Sequence, residues 1–165
     1  MRRSQTRGFV LLGIGAMALA LATASASAAE SPTRPDYVKQ VEPICKTNVL
    51  ANKRIFQGAK GEVKAGKLKQ ASTHFFRAAT AFAKTIDQLE AVPRPAEDEA
   101  RLAKWFGLLR SEKSIIEKVG RALAAEDKHK AGSYSVDLNR NSNLANNTVL
   151  GFGFTYCRID PARFG

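Results

Sequence analysis

Apolar residues recur along this chain with the period of an α-helix in four stretches. From 37 to 56 they fall at Val38, Val41, Cys45, Val49, Ile55 and Phe56, and from 68 to 89 at Leu68, Ala71, Phe75, Ala78, Phe82, Ile86 and Leu89. Spacings of three and four put each set on one helix face. The second set keeps a near-strict three-four alternation, which lets one helix lie along another at a shallow angle. Gly58, Gly61 and Gly66 punctuate the interval, so a loose turn is expected between the two helices.

Pro93-Arg94-Pro95 closes the second stretch, because the residue before a proline avoids the helical region and Pro95 suits the start of a new helix. A third helix is expected over 96–125, with Leu102, Phe106, Leu109, Ile116, Val119 and Leu123 on one face and Trp105 beside it. Glu97, Asp98 and Glu99 in its first turn, and Arg121 near its far end, complement the helix dipole. Tyr134, Leu138, Ala145 and Val149 predict a fourth helix over 130–150, but Asn139, Asn141, Asn143, Asn146 and Asn147 are poor helix formers. Tertiary packing has to supply what propensity does not. Gly151-Phe152-Gly153-Phe154 then breaks the period and carries aromatic bulk toward Cys157. Without strand alternation or hairpin signals, the pattern reads as all-α: an antiparallel four-helix bundle with a C-terminal turn. Its expected core is Val41, Phe75, Phe82, Leu102, Phe106, Leu109, Ile116 and Leu138, with Trp105 at least half buried.

The first residues alter the picture of where this bundle works. Arg2, Arg3 and Arg7 make a basic region, Gly8 to Ala22 an apolar run, and Thr23 to Ala29 a tract of small residues before Glu30. That order is a secretory signal peptide. The expected organisation is a leader over 1–29, cleaved so that the product begins at Ala29 or Glu30, and one domain over 30–165. The alternative is an uncleaved membrane anchor, which the apolar run disfavours by falling short of the ~20 residues a spanning helix needs. Ser4, Gln5 and Thr6 follow Arg2-Arg3 where a twin-arginine signal has hydrophobic residues, so the general secretory route is expected. The expected location is extracellular, or periplasmic within the cell envelope, and the product soluble or peripherally bound.

Export changes the meaning of the two cysteines, since an oxidising compartment favours a disulfide. Cys45 and Cys157 lie 112 positions apart, and bridging them ties the C-terminal turn to the first helix. A loop of that size is worth roughly 4–5 kcal/mol of denatured-state entropy before strain is subtracted. The competing reading, a reactive or metal-binding thiol pair, lacks a Cys-x-x-Cys spacing and a histidine nearby in sequence. With its signal, the Ile44-Cys45 pair, the Pro93-x-Pro95 break before a Trp105-bearing helix and the late Tyr156-Cys157, the chain resembles a group of exported helical-bundle proteins of high-GC bacteria with one early and one late cysteine. The resemblance implies a fold and a compartment and carries no assigned activity.

Catalytic and cofactor motifs are sparse. His74 lies off the face of its helix and His129 sits between two lysines; neither has a partner at i+4, and the inward Glu-x-x-His of a bundle metal site does not occur. His74 is expected at the core boundary and His129 in solvent. Cys-x-x-Cys-His is absent, and Met1 and Met17 both fall in the leader, so neither haem attachment nor thioether ligation is expected. No Gly-x-Ser-x-Gly, P-loop or dinucleotide fingerprint occurs, and Gly151-Phe152-Gly153 lacks a third glycine. Glu112 with Glu117, or Glu126 with Asp127, would be the nearest acid/base pairs, and both are expected on a solvated face. Asn146-Asn147-Thr148 matches a glycosylation acceptor, relevant only in a glycosylating host.

Charge is more informative. The chain carries 26 Lys+Arg against 15 Asp+Glu, net +11, and three of those positive charges lie in the leader. Residues 46–84 hold Lys46, Lys53, Arg54, Lys60, Lys64, Lys67, Lys69, Arg77 and Lys84 against Glu62 alone, which accounts for the whole remaining excess. Lys53 and Arg54 suit the end of the first helix, whereas Lys64 and Lys67 are expected at the start of the second, where the dipole disfavours cations. Lys60, Lys64, Lys67 and Lys69 are therefore the candidate site for an anionic partner: an envelope polymer, a lipid headgroup or an acidic protein. Few aromatics interleave with these lysines, so single-strand nucleic-acid stacking is not expected. The resulting expectation is an exported, non-enzymatic binding or structural module without a cofactor. Its alternative is a small periplasmic or extracellular enzyme or cofactor carrier whose site is assembled from separated residues. A purely structural subunit would show a large exposed apolar patch.

Overall fold

The computed structural model describes residues 31–160; the leader expected over 1–29 lies outside them. Four long helices form an antiparallel bundle: α1 (Arg34–Ile55), α3 (Leu68–Glu90), α4 (Glu99–Ala124) and α5 (Lys128–Thr148). A single-turn helix, α2 (Ala59–Lys64), joins α1 to α3, and two 3₁₀ turns occupy Ala96–Asp98 and Leu150–Phe152. No strand occurs among the described residues.

Where the interval between the first two helices was expected to be a loose turn, it forms α2. Gly58 at φ +88° and Gly66 at φ +72° bracket it, in left-handed conformations that a side chain would strain. The chain thereby turns twice within a few residues and lays α2 across the end of the bundle. Lys64 consequently ends α2 instead of starting the second long helix, and the dipole there favours its charge. Lys67 keeps the expected conflict: it is the N-cap of α3, with no side-chain cap and no acid in the first turn.

α1 packs on α3, α3 on α4, and α4 on α5. All eight anticipated core residues are buried, and Trp105 is 1% exposed. At Gly120 a Cβ would come within 3.2 Å of the Phe75 Cβ, so the absent side chain lets α3 and α4 approach closely. α1 starts earlier than its stripe, at Arg34, where the Thr33 hydroxyl accepts from the Asp36 N–H. It also continues through Pro43, whose missing N–H leaves the Lys39 carbonyl without its helical partner on an exposed face.

The C-terminal segment fills the remaining side of α1. Phe152 meets Tyr37 edge-on, and Phe154 packs on Trp105 with ring centroids 5.5 Å apart. The Glu42 carboxylate accepts from the backbone N–H groups of Thr155, Tyr156 and Cys157 at 3.0–3.2 Å. Cys157 is disulfide-bonded to Cys45 with Cα atoms 5.0 Å apart. The asparagines that weaken α5 as a helix serve the same assembly. Asn146 donates to the Ile159 carbonyl and accepts from the Ile159 N–H, both at 2.8 Å, which engages the asparagine of the glycosylation motif on both sides.

Candidate functional site

α2 roofs a cleft of about 490 Å³ whose other walls come from α3, α4 and α5. Phe56, Ala59, Val63, Leu68, Phe75, Val119, Leu123 and Ala131 line it with apolar surface, and Lys60, Lys64 and Lys128 are its charged residues. No acid lines it. Two walls follow from the patterning: Leu68 and Phe75 belong to the α3 stripe, Val119 and Leu123 to the α4 stripe. Ala131 and Gly132 keep α5 thin at its start. Phe75 and Phe56 pack edge-on with centroids 5.0 Å apart, and Val63 is 38% exposed at the opening.

The short helix is held by His74. Its Nδ1 donates to the Ile55 carbonyl, and its Nε2 lies 3.1 Å from Glu62 Oε2. One side chain of α3 thus fastens both the end of α1 and the middle of α2. It also engages Glu62, the single acid of the basic segment. His74 sits at the core boundary as the sequence suggests, and His129 is exposed.

All four candidate lysines are exposed, but they do not converge. Lys60 and Lys64 line the cleft; Lys67 does not, and Lys69 reaches away to Glu126 at 3.4 Å. Lys128, which sequence reading missed, completes the charged lining. It is the first residue of α5, another place where the dipole disfavours a cation, and that conflict was its signal. Among the described residues Lys60, Lys64 and Lys128 have no ion-pair partner within 4.0 Å.

A second polar cluster corrects the expectation that Glu112 lies on a solvated face. Glu112 is 0% exposed, and Glu117 is the partly exposed member of that pair, bonded to Lys113 at 2.7 Å. The Ser142 hydroxyl lies 2.5 Å from Glu112 Oε1, and the Asn141 amide donates to Glu112 Oε2 and, at 2.9 Å, to the Leu108 carbonyl. Burial pushes the Glu112 carboxyl above its ordinary pKa, against the opposing pull of Ser142 and Asn141. The signal was the gap from Leu109 to Ile116 in the α4 stripe, which residue 112 fills at the same helical spacing. Glu112 borders none of the cleft walls. Asp98, expected simply to complement a helix dipole, is 1% exposed and receives a bidentate pair of hydrogen bonds from Arg34 at 2.6 and 2.8 Å. No group of three or more His, Cys, Asp or Glu suited to a metal ion occurs among the described residues.

Fold and cleft together define a small α-helical bundle closed by one disulfide, with a basic-rimmed apolar recess at one end. No family model, curated protein or solved structure matches the chain.

Proposed function

We propose that this chain is an exported, non-enzymatic binding protein of the cell envelope or extracellular space, and that it takes an anionic partner at the end of the bundle capped by α2. The observation that carries this reading is the cleft lined by Lys60, Lys64 and Lys128 with no acid among its walls. Its titratable groups are lysines only, which suits attraction of an anion better than general acid/base chemistry. The disulfide, and the absence of any membrane-crossing helix among the described residues, are compatible with export.

Retention on an immobilised polyanion tests the reading. The parent should be held at low salt and released as the Debye length shrinks to about 8 Å near physiological ionic strength. The double substitution Lys60→Glu with Lys64→Glu should abolish retention. Lys39→Glu with Lys104→Glu changes net charge equally at exposed sites outside the cleft and should keep most of it. Equal loss in the two double variants would reduce the effect to net charge and overturn the proposal.

A further inference from the structure

We infer that the partner is a single-chain amphiphile, a fatty carboxylate whose alkyl chain enters the cleft and whose head lies against Lys60, Lys64 and Lys128. This rests on the anion-binding reading above and goes further by assigning the apolar part of the site. A polyanion or an acidic protein surface would use the lysines and leave the apolar lining of Phe75, Val119 and Leu123 without purpose. An alkyl chain uses both. The volume of about 490 Å³ lies in the lower half of the roughly 300–1,000 Å³ span of small-ligand pockets, which fits one chain better than two. Lysine ammonium groups are compact point charges suited to a small oxyanion head. The cleft supplies no acid that would repel that head.

Calorimetric titration of the protein with saturated carboxylates of increasing length, each below its micellar concentration, decides the matter. Affinity should rise about fourfold for each added methylene and level off once the recess is full. The methyl ester of the best-binding acid should bind more weakly, and Lys60→Gln with Lys64→Gln should shrink that difference to what Lys128 alone supplies, each lysine accounting for up to about fivefold. Gly132→Leu provides an independent check on the chain. A Cβ at this position meets no heavy atom within 4 Å, and leucine is the better helix former, so the fold should persist while the chain length at which affinity levels off shortens. Binding independent of chain length, or equal binding of a trimethylammonium amphiphile of matched length, would overturn the inference. If carboxylates bind without chain-length dependence while the polyanion is still retained, the amphiphile assignment fails and the anion-binding reading stands. If neither binds, both fail.

Discussion

Glu112 shows how one residue depends on its neighbours for a protonation state. The Ser142 hydroxyl lies 2.5 Å from Glu112 Oε1 and 2.9 Å from the Leu138 carbonyl, but it has one proton to give. When Glu112 is protonated it can donate to Ser142 Oγ instead, which frees the hydroxyl proton for Leu138, while Asn141 donates to the other carboxyl oxygen. Burial favours that neutral form and is the larger influence, while donation from Ser142 and Asn141 favours the carboxylate. Because the native pKa is raised above the unfolded value of about 4.3, the stabilisation from Glu112 is complete below that pH. It is lost as pH rises through the native pKa. Glu112→Gln reproduces the neutral arrangement, its amide donating to Ser142 and its carbonyl accepting from Asn141. Urea unfolding should show the variant equal to the parent near pH 4 and more stable at pH 7. A parent as stable as the variant at neutral pH would contradict a neutral buried acid. The helical spacing of residue 112 was legible in the sequence. Its burial beside two α5 side chains depends on the rotation of α5, which five asparagines leave poorly marked.

Among the elements, α3 carries the most information in its sequence. Its stripe of Leu68, Ala71, Phe75, Ala78, Phe82, Ile86 and Leu89 is buried throughout, and the helix touches α1, α2 and α4. Phe82 is 7% exposed, so Phe82→Ala should cost about 3–5 kcal/mol in chemical denaturation, with helical content retained below the transition. A loss under 1 kcal/mol would mean that the site collapses around the deletion. α2 is the opposite case. Six residues offer too few turns for a periodic signal, and isolated helices of that length are unstable in water. It persists because two left-handed glycines aim it and His74 fastens it. Neither the glycine conformations nor the His74 contacts follow from periodicity.

Across the whole molecule, two long-range ties close what the helix order leaves open. Arg34 and Asp98 join the start of α1 to the start of α4, and Cys45 with Cys157 joins the middle of α1 to the C-terminal segment. Cys157→Ser should lower the melting temperature through a loss of about 2–4 kcal/mol. The far-ultraviolet dichroism of the folded state should stay nearly unchanged, because Glu42 still holds the backbone of residues 155–157 and Phe152 and Phe154 still pack inside. Loss of helical signal in the folded baseline would instead make the disulfide a condition of the fold.

Amino-acid order alone determined the four helical stripes, the breaks at Pro93 and Pro95, and the core residues, because helical periodicity is local and survives any arrangement of the helices. It also singled out the two cysteines, whose pairing a bundle with a returning tail permits. Tertiary structure decided which polar residues turn inward and which cations share a surface. Lys60 and Lys64 line one cleft with Lys128, more than sixty residues away, because α2 lies across the end of the bundle where α5 starts, and Lys69, close in sequence, turns to Glu126. Long-range proximity of that kind is set by how helices rotate and cross, and no local spacing encodes it.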